Sequence, residues 1–164
     1  MEKQIRPATV EDAAAIGYVH YKSWQETYAG LVDPEFLASQ TLERSVKNME
    51  WAWKDICAAV YNGKIVGFCG CSAARDEDVG PTVGEVQGIY LLQEAQGIGL
   101  GRMLMEDALQ RLRAAGYSEV ILWVLKGNEK AIRFYEKAGF QPDGAEKTAV
   151  LGTPVTELRY RRRL

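Results

Sequence analysis

The stretch from Gly84 to Leu125 constrains the fold of this chain more than any other. A strand-like run over 84–92 leads into a glycine-rich loop, a helical apolar stripe over about 99–115, and the run EVILWVL at 119–125. That last run is almost continuously apolar, which is typical of a strand buried on both faces. Two strands joined through a helix form a right-handed β-α-β crossover. The sequence therefore predicts an α/β protein with a mixed sheet.

Further strands and helices surround this crossover, in the predicted order βααβββαβαββ. The patterns predict strands near 3–6, 57–60, 64–72, 146–151 and 154–160, and helices over about 12–29, 35–53 and 129–138. The region 35–53 fits one helix or a broken pair, and Asn62-Gly63 is typical of a hairpin turn. A chain of 164 residues has the length of one domain. Residues 1–164 are expected to form a single unit, with helices on both faces of the sheet.

Charge and hydropathy argue against two classes of partner. The net charge is -2, which gives no broad basic surface for nucleic acid. No apolar run approaches the roughly 20 residues that span a bilayer, and the first residues contain no apolar signal segment. We therefore expect a cytoplasmic protein with neither a nucleic-acid nor a membrane partner. The basic tail 159–163 is expected to be a solvated end, and an exposed last strand could support a homodimer.

Metal-dependent and histidine-dependent chemistry has little basis in this sequence. His20 is the only histidine, and Cys57, Cys69 and Cys71 have no cluster of other ligands beside them. A zinc site that needs two or three imidazoles is excluded, and no G-x-S-x-G nucleophile motif is present. We expect no metal, and we expect the cysteines to act as small buried side chains in a reducing compartment.

The segment 96–102, Gln-Gly-Ile-Gly-Leu-Gly-Arg, carries the chemistry. It joins a strand to a helix N-terminus, where free N–H groups and the helix dipole favour an anion such as phosphate. Glycines lack Cβ atoms, so a ligand can approach the backbone closely. The spacing matches neither the G-x-x-x-x-G-K-[ST] motif nor the G-x-G-x-x-G motif. From the residues alone, a phosphate site and a turn needed only for close packing both remain open.

This segment resembles the Q/R-x-x-G-x-G/A motif of the GCN5-related N-acetyltransferases, the GNAT superfamily. The run IYLLQEAQGIGLGRML at 89–104 is similar to the family's fourth strand and third helix, with Gln93 where members often have proline. The run WVLKGNEKAIRFYEKAGF at 123–140 is similar to the fifth strand and fourth helix, with N-x-x-A-x-x-F-Y-x-x-x-G-F intact. The opening residues also resemble bacterial members, so the likeness covers nearly the whole chain in family order.

The resemblance implies a fold, a reaction and a cofactor. The sheet would be mostly antiparallel, with its fourth and fifth strands splayed around the pantetheine arm of acetyl-CoA. The reaction would be direct transfer of the acetyl group to a small-molecule or peptide amine. A non-catalytic acyl-CoA-binding sensor or regulatory domain is the alternative, because fold does not fix chemistry. The residues implied in cofactor binding belong to the motifs and their flanks: Leu91, Leu92, Gln96, Gly97, Ile98, Gly99, Leu100, Gly101, Arg102 and Asn128.

Tyr135 and Glu85 are the candidate catalytic residues. The resemblance implies that Tyr135 protonates the departing thiolate, and a phenol with a pKa near 10 suits that step at neutral pH. Tyr135 follows Asn128 by about two helical turns, so both are expected on one helix face. Glu85 matches an acid that acts through water in many members, and strand alternation places it with Gln87 and Ile89.

Alternatives to these roles remain open from the residues. Tyr135 could be a core side chain, and Glu85 a solvated strand end, in which case the amine arrives already neutral. Trp24 and Tyr28 share a helix face and are candidates for the acceptor pocket, with a core role as the alternative. A nucleotide-phosphate enzyme would need Mg²⁺ and is a further alternative. The sequence does not name the acceptor amine.

Overall fold

A computed structural model describes residues 2–164, which form seven strands and five helices. The order matches the predicted one when the region predicted over 35–53 is taken as a broken pair of helices, and three short 3-10 turns precede α1, β2 and α4. The bounds are β1 (Lys3–Pro7), α1 (Ala13–Tyr28), α2 (Pro34–Ser39), α3 (Leu42–Ala52), β2 (Ile56–Tyr61), β3 (Lys64–Ala73), β4 (Val83–Leu91), α4 (Leu100–Ala114), β5 (Glu119–Leu125), α5 (Glu129–Lys137), β6 (Gln141–Leu151) and β7 (Thr153–Arg163).

The region predicted as one helix or a broken pair is a broken pair. Asp33 caps α2 through its Oδ2, which accepts from the Phe36 N–H at 3.0 Å, and Pro34 takes the first helical position. Gln40 is extended, with φ -72° and ψ 134°, which ends α2. The Thr41 hydroxyl then accepts from the Arg44 N–H and starts α3. Two capping side chains thus divide one amphipathic stretch into two helices.

The seven strands form one sheet in the order β1-β2-β3-β4-β5-β7-β6. Every neighbouring pair is antiparallel except β4 and β5, which α4 connects. The parallel pairing covers only three positions, from Val83 opposite Glu119 to Glu85 opposite Ile121. Beyond these positions β4 remains paired with β3, and β5 remains paired with β7. The predicted mixed sheet with splayed central strands is confirmed.

Helices cover both faces of this sheet, as predicted. On one face, the His20 ring of α1 lies edge-on to the Tyr90 ring of β4 at 5.2 Å between centroids. On the other face, a Cβ added at Gly84 of β4 would approach the Leu112 side chain of α4 to 2.8 Å. The helix α3 packs on α1 so closely that a Cβ at Gly17 would meet Val46. The cleft between β4 and β5 therefore opens between two helical layers.

The end of the chain differs from its predicted form. β6 begins at Gln141 rather than near 146, because a bulge between Pro142 and Glu146 interrupts the pairing with β7. The prediction of a solvated basic tail is wrong for Arg159, whose side chain is 7% exposed. Its guanidinium pairs with three carboxylates, at 3.0 Å from Asp76, 2.8 Å from Asp78 and 2.7 Å from Asp143. The loop between β3 and β4 is thereby held to β7.

Candidate active site

A cavity of about 410 Å³ lies where β4 and β5 separate. It runs from the glycine loop, past α5, to the side of the sheet that α1 covers. Its lining residues come from five parts of the chain: Ser23, Thr27 and Tyr28; Gln87, Gly88, Ile89, Tyr90 and Leu91; Gln96, Gly97, Gly99, Gly101 and Arg102; Trp123, Val124 and Leu125; Asn128, Lys130, Ala131, Phe134 and Tyr135. A second cavity, of about 470 Å³, lies between Glu119 and Arg163 and contains none of the predicted site residues.

The glycine loop forms one end of the cavity. Gly97 and Gly99 have φ angles of +79° and +91°, which side-chain-bearing residues rarely adopt. Among residues 2–164, no acceptor is bonded to the backbone N–H groups of residues 97–102. A Cβ added at Gly97 would meet no protein atom within 4 Å, so the space beside this backbone is open to a ligand. Free N–H groups at a helix N-terminus fit a pyrophosphate such as that of coenzyme A.

Three cationic side chains surround this loop. Arg102 lies at the start of α4 and is 83% exposed, with an ion pair to Glu106 at 3.0 Å. The Lys130 ammonium donates to the Gln96 side chain, and the Lys3 ammonium donates to the Ile98 carbonyl. Lys3 comes from β1 and Lys130 from α5, and neither was among the predicted site residues. Their positive charges favour a phosphate-bearing ligand at this end of the cavity.

Asn128 and Tyr135 both line the cavity, as their spacing on one helix face predicted. Asn128 is the N-cap of α5, and its Oδ1 accepts from the Ala131 N–H at 3.4 Å. Tyr135 is 8% exposed, and its ring packs edge-on against Phe134 and Phe140. Burial raises the pKa of the Tyr135 hydroxyl, and neighbouring Tyr90 adds to the effect. The phenol is therefore protonated at neutral pH and can donate a proton into the cavity.

Glu85 lies on β4 but does not line the cavity. Its side chain is 2% exposed, so it is not a solvated strand end. One carboxylate oxygen accepts from the Arg75 guanidinium at 2.8 Å. The other accepts from the Arg75 main-chain N–H at 3.2 Å and the guanidinium at 3.3 Å. Arg75 thus occupies both oxygens of the candidate base.

A bulge in β4 changes which residues face the cavity. Gly70 of β3 pairs with Gly88 and Cys71 pairs with Val86, so Gln87 is an additional residue in β4. The predicted alternation of Glu85 with Ile89 is wrong for this reason. Glu85 lies opposite Ser72 and Ile89 opposite Cys69, which are three positions apart in β3 and point to opposite faces.

The acceptor candidates Tyr28 and Trp24 have different positions. Tyr28 lines the cavity, whereas Trp24 packs behind it with ring centroids 4.5 Å apart. Sequence reasoning did not single out Ser23, Gln87 or Trp123 for this wall, although all three line the cavity. Ser23 is 3% exposed, and its Oγ has no hydrogen-bond partner within the described part of the chain. A buried hydroxyl without a partner beside a cavity is suited to binding a polar ligand group.

Three residues predicted to bind the cofactor have no side chain in the cavity lining. Leu92 and Leu100 are core residues, at 3% and 0% exposure, and Ile98 packs against the same core. The Leu92 N–H donates to the Val66 carbonyl of the neighbouring strand, at 2.9 Å. Any contact of these three with a ligand would therefore involve main-chain atoms that remain free. Leu91 lines the cavity, and its carbonyl accepts from the Gln96 side chain at 3.2 Å.

The cysteines and the histidine are placed outside the cavity lining. Burial raises the pKa of Cys57 to about 12, and it also raises the pKa values of Cys69 and Cys71. Burial lowers the pKa of His20, whose Nδ1 lies 3.0 Å from the Ser45 hydroxyl. Within residues 2–164, no group of three or more metal-ligating side chains is placed to hold an ion. In the same range, no helix has both the length and the apolar character needed to cross a bilayer.

Comparison with known proteins identifies the class that this fold and site represent. The sequence model of the Acetyltransferase (GNAT) family matches residues 21–140. The N-acetyltransferase YuaI of Bacillus subtilis is 33% identical over 138 residues, which cover 80% of this chain and 76% of YuaI.

Solved structures share the fold over the whole chain. The PaiA N-acetyltransferase of Thermoplasma acidophilum, crystallised with coenzyme A, superposes with a TM-score of 0.78 at 22% identity and covers 100% of both chains. YncA of Salmonella typhimurium, crystallised with acetyl-CoA, superposes with a TM-score of 0.76 at 20% identity, covering 100% of this chain and 95% of YncA. At these identities the likeness concerns the fold.

These findings define an acyltransferase. The chain belongs to the acetyltransferase (GNAT) family. It is an N-acetyltransferase.

Proposed function

We propose that this protein transfers the acetyl group of acetyl-CoA directly to a primary amine, with Tyr135 as the proton donor to the leaving thiolate. The observation that carries the proposal is the position of Tyr135, which is buried, protonated and on the wall of the cavity between the splayed strands. Acetyl-CoA supplies the acetyl group as a thioester. The free N–H groups of the loop 97–102 bind its pyrophosphate, with Arg102 and Lys130 adding positive charge.

A direct transfer is supported by the absence of an activated thiol near the cavity. Within the described residues, each cysteine has a raised pKa, so its thiolate is scarce at neutral pH. The amine nitrogen therefore attacks the thioester carbon itself, without an acyl-cysteine, and the new C–N bond replaces the C–S bond. Tyr135 protonates the leaving thiolate, and the proton that the attacking nitrogen loses restores the phenol. A main-chain N–H on the free edge of β4 is suited to polarise the thioester carbonyl, since β5 does not pair with β4 beyond Glu85.

The acceptor ammonium must lose its proton before attack, and the sequence leaves two routes for this loss of a proton. Glu85 could accept the proton through water, but Arg75 occupies both of its carboxylate oxygens and the residue does not line the cavity. The other route is binding of the amine in its neutral form. The Arg75 pairing favours the second route. In that case the Arg75–Glu85 pair has a structural role, because it positions β4 and the loop after β3.

Replacement of Tyr135 by phenylalanine tests the proposal. The ring contacts with Phe134 and Phe140 persist in Tyr135→Phe, while the transferable proton is lost. We expect kcat to fall by about 10- to 1,000-fold with the Kd for acetyl-CoA unchanged. The matched control is Tyr18→Phe, because Tyr18 is 42% exposed on α1 and does not line the cavity.

Thiol release with a panel of amines measures the rate, and calorimetric titration measures the affinity for acetyl-CoA. If Tyr135→Phe keeps the wild-type rate, Tyr135 is not the proton donor. If the wild-type protein binds acetyl-CoA but acetylates no amine in the panel, the non-catalytic acyl-CoA-binding domain replaces the enzyme as the better assignment.

A further inference from the structure

Trp123, which lines the cavity, belongs to a cation site that one of the protein's own lysines occupies, although that lysine and its carboxylate partner do not line the cavity. The Lys147 ammonium lies 4.1 Å from the centroid of the Trp123 ring. The same ammonium is 3.5 Å from Glu157 Oε2. An aromatic face together with a carboxylate is a well-matched site for an alkylammonium ion.

The site belongs to the acceptor side of the cavity. Trp123 lines the cavity, and Leu125, two residues further along β5, packs against α1 and α2 residues such as Tyr28. Leu125 is opposite Glu157 in β7, and Glu157 is opposite Lys147 in β6, so the three side chains form a row on this face. Burial chiefly raises the pKa of Tyr28, which also lines the cavity, and the negative charge of Glu157 makes a smaller contribution.

The charges around Trp123 favour a cation. The indole Nε1 donates to Asp76 at 3.0 Å. Arg159 lies 5.6 Å from the ring, but three carboxylates surround its single positive charge. Glu157 adds a further negative charge to this wall. Without Lys147, these side chains carry four negative charges and one positive charge, so the local field around Trp123 is negative.

We propose that Trp123 and Glu157 bind a second ammonium group of the acceptor, and that Lys147 occupies this place in the protein without acceptor. The acceptor is then an amine that carries another positive charge along an alkyl chain, such as a straight-chain diamine. This inference rests on the proposed acetyl transfer and specifies its substrate class.

Lys147 is suited to leave the site when an acceptor arrives. Its side chain is 46% exposed on the edge strand β6, so it can turn into water. An ion pair at 3.5 Å with this exposure is weak. Arg159, in contrast, is held by three partners and remains in place. Displacement of one lysine thus exchanges one alkylammonium for another on the same ring.

The test compares a diamine with a monoamine of the same chain length. Cadaverine and pentylamine are titrated into the protein saturated with coenzyme A, and both are assayed as acceptors with acetyl-CoA. We expect cadaverine to have the higher kcat/KM and the higher affinity. In Trp123→Leu and in Glu157→Gln, the ratio of the two kcat/KM values is expected to fall about 3- to 10-fold.

Removal of the competing lysine is expected to act in the opposite direction. In Lys147→Met the affinity for cadaverine should rise about 3- to 5-fold, since no internal ammonium has to leave the ring. Lys54→Met is the matched control, because Lys54 lies 5.9 Å from the ring of Trp53, which does not line the cavity. The control should bind and acetylate both amines as the wild-type protein does.

The outcomes separate this inference from the proposed function. Equal affinity for cadaverine and pentylamine in the wild-type protein, or an unchanged ratio in Trp123→Leu and Glu157→Gln, overturns the inference while transfer to amines stands. If neither amine is acetylated, the titrations still decide: preferential binding of cadaverine that depends on Trp123 supports the cation site, and equal binding overturns it.

Discussion

Substitution of Gly97 by alanine separates the two reasons for which a glycine can be required in the loop. Gly97 has a φ of +79°, and a Cβ at this position would meet no protein atom within 4 Å. Gly63, in the turn between β2 and β3, has a φ of +80° and equally open surroundings. The two glycines therefore impose the same backbone requirement, but only Gly97 lines the cavity.

The stability cost should be nearly the same for Gly97→Ala and Gly63→Ala. The left-handed conformation costs a residue with a Cβ about 1–2 kcal/mol. Alanine recovers about 0.4–1 kcal/mol by restricting the unfolded chain. The net loss of about 1 kcal/mol lowers Tm by about 2–4 °C for a chain of this size. Thermal unfolding without ligand should show this decrease in both variants.

Acetyl-CoA affinity should distinguish the two variants. In Gly97→Ala the methyl group projects beside the free N–H groups of residues 97–102 and keeps a pyrophosphate at a distance. A hydrogen bond to a charged group contributes about 1.5–3 kcal/mol. Loss of one such bond raises the Kd by about 10- to 150-fold. Calorimetric titration measures this change, with Gly63→Ala expected at the wild-type Kd. Equal affinities in the two variants would show that the loop does not bind the pyrophosphate.

Three further changes test other parts of the structure. Glu85→Gln should lower kcat/KM less than about tenfold if the residue only positions β4, whereas loss of a general base costs about 100- to 10,000-fold. Arg159→Met, measured by thermal unfolding, should cost about 2–3 kcal/mol because it leaves partly buried carboxylates unpaired; a Tm unchanged from wild type would contradict this. Arg6 holds the pKa of Asp12 at about 2, below the unfolded value near 3.8, so this pair stabilises the fold above pH 4 and ceases to do so as the pH falls towards 2. Asp12→Asn should therefore cost about 1 kcal/mol at pH 7, after allowance for solvent screening, and most of this cost should be lost near pH 2, as followed by denaturant unfolding at both pH values.

The sequence predicts those parts of the site that depend on local spacing. The loop and α4 follow from glycines at a strand-to-helix junction, and the shared face of Asn128 and Tyr135 follows from helical periodicity. The bulge at Gln87 leaves no such signal, because one additional residue in a strand changes the pairing without changing the apolar pattern. The sequence also does not predict that Trp123 lines the cavity, because EVILWVL is apolar at nearly every position and its two faces cannot be told apart.

Contacts between distant segments also could not be predicted from the sequence pattern. Arg159 and its three carboxylates are separated by between 16 and 83 positions, and each charge taken alone is typical of a solvated surface. The same holds for Lys147 and Trp123, which meet only because β7 lies between their strands in the sheet. Such pairs depend on the strand order, which local propensity does not determine.

The splay of β4 and β5 gives a physical reason for the location of the site. β4 is held by β3 as far as Leu91, and β5 is held by β7 as far as Leu125, so neither strand can close the gap without breaking its outer pairing. Beyond Glu85 their inner edges have no partner strand, and the Leu91 carbonyl is bonded to the Gln96 side chain instead. Main-chain groups away from water need partners. A ligand arm that carries amide groups can supply these partners along the open edge, and in the proposed function the loop 97–102 binds the phosphates at one end. The pantetheine arm of acetyl-CoA has this chemistry, so the outer pairings that keep the strands apart support the proposal that the cofactor binds here.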